Sequence, residues 1–389
     1  MRQFALGKRR KKNLLDRFIK PGKSGPKPDN FLLIVIFIII VFGLIMLSSA
    51  SSNISFRDYE GNSYHLFWRQ ILRGFLPGLL LFWFFSRFDY QKLEKFSVSL
   101  FFAALALLVL VFVPGLGQVY GGSRSWLGFP GFSFQPAEFV KLFLILALAG
   151  WFSYRGREMN REFWNGLAPF AFMLVLIGLP IIFQPDIGTL VIITVIALVI
   201  YYVAGAKLSH ITGVILAGIG AFGILIIQAP YRLARLVTFI NPDAETTGAA
   251  YQINQALLAV GSGGLFGLGF GQSRQKLAYL PEVMGDSIFA IIAEELGFIF
   301  VSGLIILFLL LAWRGFKIAG SLDDPYGKFI IVGILAWFIF QAFLNIGAMI
   351  GILPLTGVPL PFISYGATAL ASSMAAAGIL VNISRRYSN

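Results

Sequence analysis

The sequence contains no cysteine and only two histidines, His65 and His210, in 389 residues. Without cysteine the chain can form neither a disulfide framework nor a thiolate metal site. The two histidines lie far apart and lack the spacing of a ligand pair. We therefore expect no metal site built from histidine or cysteine.

Charged residues are also scarce, at 13% of the chain, whereas soluble globular proteins carry about a quarter. Hydrophobic residues make up 57% of the sequence and come in long blocks. Each block has about 20 residues, the length that an α-helix needs to cross a bilayer. The composition predicts a polytopic membrane protein.

The net charge of +13 is unevenly placed, because ten of the 31 lysines and arginines lie in the first 27 residues. No recognisable nucleic-acid-binding fold follows them, so we expect no nucleic-acid partner. A basic segment before a first span is typical of a topology signal that contacts anionic membrane lipids. We predict that residues 1–29 form a disordered cytoplasmic tail and that residues 30–389 form a single membrane domain.

We predict an all-α integral membrane fold with ten transmembrane helices. If both termini are cytoplasmic, 22 of the 31 basic residues lie on the inner side, as the positive-inside rule requires. A large loop at about 229–286, between helices 7 and 8, then faces outward. The predicted spans are about 31–50, 68–85, 96–113, 136–152, 166–183, 187–204, 211–228, 287–313, 329–353 and 362–383.

The outer loop carries most of the candidate chemistry, including Arg274, Lys276 and Asp286. Asp286 precedes an apolar helix, so it could cap that helix or act as a general base. The glycine-rich run at 261–271 lacks the Gly-Lys-Ser/Thr of a P-loop and predicts tight turns or a re-entrant element. Of Glu294 and Glu295, we expect at least one to pair with a buried base or to cap another element.

A second set of polar residues lies at the start of the fourth span. Glu138 and Lys141 are three residues apart and share one helix face. They could form an ion pair that only fixes packing, or they could line a polar cavity that holds a phosphate or a sugar. Just upstream, Arg124 matches phosphate geometry beside Trp126. Asp186 is expected to cap the sixth span.

Several long segments resemble, in the same order, the SEDS family (shape, elongation, division and sporulation), which includes FtsW, RodA and SpoVE. They are GGSRSWLGF, QPAEFVKL, QPDIGT, the outer loop from YRLARLVTF to YLPEVMGDSIF, and NIGAMIGILPLTGVPLPFISYGATAL. The likeness extends from Phe31 over nearly the whole chain. The segment SRQK-x-x-YLPE is more similar to the division branch, FtsW, than to RodA.

The resemblance implies a peptidoglycan glycosyltransferase that polymerises lipid II at the bacterial cytoplasmic membrane. It also implies a class B penicillin-binding protein transpeptidase and other divisome membrane proteins as partners. The essential acidic residue of the family falls on Asp286. The Trp, Glu and Lys of the family's third outer loop and fourth span fall on Trp126, Glu138 and Lys141.

On this basis we expect Asp286 to be catalytic, and a divalent cation, Mg²⁺ or Mn²⁺, stays open as a cofactor. A lipid II flippase, a non-catalytic scaffold for the transpeptidase and a RodA-like role in elongation are the alternatives. Met284-Gly285 stands where the family usually has His-Thr, and Ala367 where it usually has a second Gly before Ser. The expected substrate-binding residues are Arg69, Arg73, Arg124, Trp126, Glu138, Lys141, Arg274 and Lys276.

Overall fold

A computed structural model describes residues 27–120, 123–129, 132–227 and 248–387. The predicted basic tail up to residue 26 lies outside the described residues. So do residues 228–247, which include the whole YRLARLVTF segment at the start of the predicted outer loop.

Helices dominate the described residues. Two single π-helical turns, Ile71–Phe75 and Phe163–Leu167, lead into the third and seventh helices. The α-helices are α1 (Asn30–Asp58), α2 (His65–Gln70), α3 (Leu76–Arg87), α4 (Gln91–Glu94), α5 (Ser97–Leu110), α6 (Pro136–Asn160), α7 (Ala168–Phe183), α8 (Ile187–Val203), α9 (Leu208–Ile227), α10 (Ala249–Ser262), α11 (Ile288–Ser321), α12 (Pro325–Met349) and α13 (Ala367–Ser384).

Local sequence signals explain where several helices begin. α1 follows Asp29, whose side chain accepts a hydrogen bond from the Leu32 N–H at 2.8 Å. α6 and α12 both start with proline, which has no N–H to leave unsatisfied in a first helical turn. Asp324 caps α12 through the N–H groups of Tyr326 and Gly327.

Six helices in the described residues are long and apolar enough to cross a membrane: α1, α6, α7 with its π turn, α11, α12 and α13. α5, α8 and α9 are apolar as well but offer shorter stretches. α12 and α13 occupy the centre, since 78% and 89% of their apolar windows are buried against 22% for α11. The chain is thus a mainly helical, multi-pass membrane protein, and the count of ten spans stays a prediction.

The all-α prediction omits a small antiparallel sheet at one end of the bundle. It contains β1 (Gly117–Tyr120), β2 (Ser123–Phe129) and β3 (Phe132–Phe134) in that order. In β2 the buried Ser125 and Leu127 alternate with Arg124 and Trp126, which is the period-2 pattern of a strand. Short strands between glycine turns carry only a weak signal in the sequence.

The glycine-rich run packs against a break in α11. α11 leaves helical geometry at Gly297, with φ 76° and ψ −176°. Leu268 and Gly269 donate to the carbonyls of Glu294 and Glu295, both at 2.9 Å, and Phe298 donates to the Gly264 carbonyl at 2.9 Å. The loop thereby satisfies backbone groups that the break leaves open, as irregular backbone inside a membrane protein must. Of the two predicted alternatives, the structure shows the tight turns, and Gly263 is the one buried residue of the run at 261–271.

Glycine is required where the two segments cross. A Cβ at Gly263 would collide with the Ala293 carbonyl, and one at Gly267 would collide with the Glu295 carbonyl. Gly267 also has φ +77°, a conformation that side chains of L-residues rarely adopt.

At the other end of the bundle, an ion pair and a hydrogen bond tie the start of α1 to α11 and to the end of α13. The Asp29 carboxylate lies 2.5 Å from Arg314 of α11, and the Asp29 N–H donates to Ser384 of α13 at 3.1 Å. Burial raises the pKa of the Asp29 carboxyl, but the hydrogen bonds from Arg314 and from the Leu32 backbone outweigh it and lower the net pKa. The clamp therefore holds a charged carboxylate.

We expect Arg314→Gln to lower the free energy of unfolding by about 1 kcal/mol, since solvent screens part of the pair. The same change should have little effect in an Asp29→Asn background, which keeps the cap and removes the charge. Because the folded-state pKa is lowered, the contribution of the pair is complete above the unfolded-state pKa and is lost as the pH falls through the folded-state value. Thermal unfolding of the four variants in detergent at two pH values measures this, and additive effects would contradict it. Lys317→Gln on the same helix is the control.

Candidate functional site

Asp286 lies in the turn that enters α11 and is half-buried. Its backbone carbonyl accepts a hydrogen bond from the Asn345 side chain of α12 at 2.7 Å. One carboxylate oxygen lies 3.4 Å from the side-chain amide of Gln252 in α10. The N-cap of α11 is Ser287, one residue later, and its side chain makes no capping hydrogen bond. Ser287, and not Asp286, is therefore the N-cap residue of α11.

Gln252 was missed by the sequence analysis. Its side-chain amide also donates to the Ser287 hydroxyl at 3.0 Å, so it bridges the two residues that open α11. α10 follows the part of the predicted outer loop that lies outside the described residues. Nothing local to Gln252 marks it, because a glutamine in a polar loop carries no distinctive signal.

The loop before α13 forms a second wall of the site. The Ser364 hydroxyl donates to the Gly285 carbonyl at 2.6 Å, and the Tyr365 N–H donates to the Met284 carbonyl at 2.7 Å. Both bonds use backbone carbonyls of residues 284 and 285. The contacts that fix this turn therefore do not require the His-Thr side chains that the family usually has there.

Two predicted cations lie beside the same loop. Gln70 of α2 accepts a hydrogen bond from the Gly366 N–H at 3.2 Å, which places the following helical turns next to it. Burial raises the pKa of the Tyr365 phenol, and the nearby charges of Arg69 and Arg73 oppose that rise. Among the described residues neither arginine forms an ion pair, so both remain available to an anion.

Ala367, which stands where the family usually has a second glycine, packs closely against Gly74. Gly74, in the π-helical turn that carries Arg73, lies so close to Ala367 that a Cβ there would be 3.0 Å from the Ala367 Cα. The backbone of this turn thus approaches the start of α13 directly.

Glu138 and Lys141 form a buried ion pair at 2.8 Å, with side chains 2% and 1% exposed. Lys141 also donates to the Gln341 side chain of α12 at 2.8 Å and lies 4.8 Å from the Trp337 ring centroid. Gln341 in turn donates to the Pro359 carbonyl at 2.7 Å. The pair is thus connected to the loop that packs on Asp286, and this geometry favours a positioning role over direct contact with a substrate.

The expectation that Lys276 binds a substrate phosphate does not fit the structure. Lys276 is 5% exposed, and its ammonium lies 2.8 Å from the Glu295 carboxylate and 2.8 Å from the Gly271 carbonyl. Ser49 of α1 donates to Glu295 at 2.7 Å. A carboxylate inside an apolar helix needs a counter-charge, and Lys276 supplies it. This confirms that one of the paired glutamates meets a buried base.

Glu294 holds the neighbouring turn. Its carboxylate accepts hydrogen bonds from the N–H groups of Arg274 at 3.0 Å and Gln275 at 3.3 Å, and from the Ser273 hydroxyl. The Arg274 side chain is exposed. Arg274 can therefore meet a ligand, while its own backbone is fixed.

Arg124 and Trp126 lie two residues apart in β2, on one face of the strand. The sheet contacts the end of α7 through the hydrogen bond from the Ser123 hydroxyl to the Gln184 carbonyl. Beyond it, Asp186 caps α8 by accepting from the Thr189 N–H at 3.0 Å. The predicted cap is confirmed. The two β2 residues belong to the same end of the bundle as Glu138.

A divalent cation would need oxygen ligands from this chain or from a substrate. In the part of the chain that the structure describes, no three His, Asp or Glu side chains lie together.

The fold and the site define a class: a multi-pass membrane protein whose half-buried carboxylate, Asp286, lies in the turn that enters α11, with Arg69 and Arg73 close to Tyr365 of the neighbouring loop. Comparison with known proteins narrows this class. Residues 29–389 match the model of the FtsW/RodA/SpoVE family, described as cell cycle protein. The chain belongs to this family, the SEDS family.

Curated relatives match along nearly their whole lengths. The chain is 41% identical to stage V sporulation protein E of Bacillus subtilis, covering 92% of this chain and 97% of that protein. It is 37% identical to a probable peptidoglycan glycosyltransferase FtsW of Trichlorobacter lovleyi, covering 92% and 93%.

Solved structures show the same fold. A chain of a peptidoglycan synthase complex that coordinates polymerization and crosslinking matches with a TM-score of 0.74 at 27% identity, covering 93% of this chain and 99% of that one. The rod shape determining protein RodA of Thermus thermophilus matches with a TM-score of 0.68 at 28% identity, covering 93% and 98%.

We expect Glu138→Leu to destabilise the fold by about 3–5 kcal/mol, because it leaves the buried Lys141 without a counter-charge. The double variant Glu138→Leu/Lys141→Met should cost less than Glu138→Leu alone, since it removes both charges. Denaturant or thermal unfolding in detergent measures the difference. Arg57→Gln, in the exposed Arg57–Asp58 pair, is the control and should leave stability unchanged. A double variant less stable than the single one would contradict this account of the pair.

Proposed function

We propose that this protein is a peptidoglycan glycosyltransferase that polymerises lipid II into glycan strands at the outer face of the cytoplasmic membrane. The observation that carries the proposal is the half-buried Asp286 carboxylate. The side-chain amide of Asn345 donates a hydrogen bond to the backbone carbonyl of Asp286 at 2.7 Å and so holds this residue in place. The relatives named peptidoglycan glycosyltransferase support the same activity.

Asp286 acts as the general base in this proposal. Its carboxylate takes the proton from the 4-hydroxyl of the acceptor sugar as that oxygen attacks the anomeric carbon of the growing chain. The bond from the anomeric carbon to the pyrophosphate oxygen breaks, and undecaprenyl pyrophosphate leaves. Attack from the face opposite the leaving group inverts the anomeric centre.

The leaving group gathers negative charge and needs fixed positive charge nearby. Arg69 and Arg73, beside Tyr365, and the exposed side chain of Arg274 are the cations that the described geometry offers. Arg124 and Trp126 are proposed to contact the substrate from the sheet. Glu138 and Lys141 act through Gln341 and the Pro359 loop, and Lys276 acts by fixing the glycine-rich turns.

The partner and the cellular role are part of the proposal. A structural relative comes from a peptidoglycan synthase complex that couples polymerization to crosslinking. This supports pairing with a class B penicillin-binding protein within the divisome. The SRQK-x-x-YLPE segment supports a role in septal wall synthesis, whereas the 41% identity to a sporulation protein supports sporulation as the second candidate.

We expect Asp286→Asn to reduce lipid II polymerisation by about 100-fold or more, because asparagine preserves the shape of the side chain but accepts no proton. The measurement is glycan strand formation by the purified full-length protein, with its cognate transpeptidase, from lipid II. Asp323→Asn, an exposed aspartate at the other end of the bundle, is the matched control and should retain full activity.

The other outcomes separate the rival functions. Glycan strands from both the wild type and Asp286→Asn would support the glycosyltransferase activity but exclude Asp286 as its general base. If the wild type makes no strands but moves lipid II across vesicles, the protein is a flippase. If it does neither while folded and bound to the transpeptidase, it is a scaffold.

A further inference from the structure

A basic cavity lies at the end of the bundle opposite Asp286. It has a volume of about 420 Å³ and lies where α6 ends and α8 turns into α9. Arg157, Arg161 and Lys207 line it, together with Tyr202, Gly205 and Leu208. Along α6, Arg157 is about 30 Å from Glu138, given the rise of 1.5 Å per residue. The cavity is therefore separate from the proposed catalytic site.

Specific backbone features build this cavity. α6 leaves helical geometry at Gly156, with φ 75° and ψ 172°, just before its last turn. That turn is tied to the end of α8, because Asn160 donates to the Ala204 carbonyl at 3.1 Å and accepts from the Tyr201 hydroxyl at 3.1 Å. Gly205 has φ +96°, and a Cβ there would collide with the stem of Arg157. Gly156 and Gly205 thus bring Arg157 and Arg161, at the end of α6, close to Lys207, between α8 and α9.

The three cations have no counter-charge in the described residues. Arg157, Arg161 and Lys207 form neither an ion pair nor a side-chain hydrogen bond there. Other arginines at this end do have partners: Arg155 lies 3.9 Å from the Trp151 ring centroid, and Arg386 lies 3.6 Å from Asp89.

The nearby acidic residues do not neutralise the cavity. Glu158 and Glu162 are not among its lining residues, and Glu162 accepts a hydrogen bond from Asn165. Three cations that face one cavity without a counter-charge attract a phosphate group, and guanidinium groups match its oxygens in fork geometry.

The rim of the cavity is apolar and exposed. Tyr202 is 60% exposed and Leu208 is 66% exposed, and both stand at the ends of membrane helices. A free phosphate ion gains nothing from such neighbours, whereas a phospholipid places its headgroup among the cations and its glycerol and acyl chains along the apolar rim. Basic pockets between membrane helices suit anionic headgroups.

We propose that this cavity binds the phosphate headgroup of an anionic membrane phospholipid. The site does not depend on the proposed glycosyltransferase activity. It would hold a lipid at the α6–α8–α9 junction, at the end of the bundle opposite the site of polymerisation.

The test is lipid retention by the purified full-length protein. The protein is equilibrated with phosphatidylcholine vesicles that contain or lack phosphatidylglycerol, and bound lipid is counted by native mass spectrometry. The test variant is Arg157→Gln/Arg161→Gln/Lys207→Gln. The matched control, Lys95→Gln/Lys317→Gln/Lys328→Gln, removes the same charge outside the cavity. A single Lys207→Glu variant replaces the triple variant if the triple variant does not fold.

We expect the wild type and the control to retain phosphatidylglycerol and the cavity variant to bind it about 10- to 100-fold more weakly, since each surface cation contributes to anionic-lipid binding. Equal retention by all three proteins would overturn the proposal. An equal loss in the control would also overturn it, because it would reveal only general attraction to a charged surface. Displacement of the lipid by millimolar inorganic phosphate would assign the cavity to a soluble anion instead.

Discussion

Two amide side chains inside an apolar helix hold together the end of the bundle that carries Asp286. Gln341 and Asn345 lie one turn apart on α12, both 1% exposed, where an unsatisfied amide would be costly. Gln341 donates to the Pro359 carbonyl at 2.7 Å, and Asn345 donates to the carbonyls of Asp286 at 2.7 Å and Val358 at 2.8 Å. The hydrogen bonds donated by these two side-chain NH₂ groups fix the loop before α13 and the turn that carries Asp286 relative to each other.

A related constraint acts in α11, where the chain buries two adjacent carboxylates. The helix breaks at Gly297 immediately after Glu294 and Glu295. Lys276 neutralises one of them, and the N–H groups of Arg274 and Gln275 bind the other. Backbone hydrogen bonds join the glycine-rich run to this break, although most of its residues are exposed. Its glycines let the backbone approach the break closely enough to form hydrogen bonds.

The membrane helices and the Glu138–Lys141 pair could be predicted from the sequence, because strong physical constraints determine both. A block of apolar residues long enough to cross a bilayer has few other structures open to it, and the Glu138–Lys141 spacing on one helix face indicated their pair. Lys276 was misread because sequence cannot tell a cation that faces solvent from one that meets a carboxylate 19 residues away. The sheet around Trp126 was missed because short strands have little periodicity. The roles of Gln252 and Asn345 come from contacts between segments far apart in the chain, which a single sequence does not show. The two polar residues Gln341 and Asn345 inside an apolar helix were the signal available for this part of the site.

In the proposed mechanism, Asn345 positions Asp286 for catalysis through the hydrogen bond to its backbone carbonyl. The most direct test is the rate of lipid II polymerisation by Asn345→Ala, measured over a range of lipid II concentrations at a temperature where the variant is folded. Ser372→Ala, which removes a buried hydrogen bond within α13, is the control. We predict that Asn345→Ala lowers kcat at least about 10-fold with little change in KM, because a small displacement of a catalytic group has a large effect, and that Ser372→Ala matches the wild type. Full turnover by a folded Asn345→Ala protein would contradict the account.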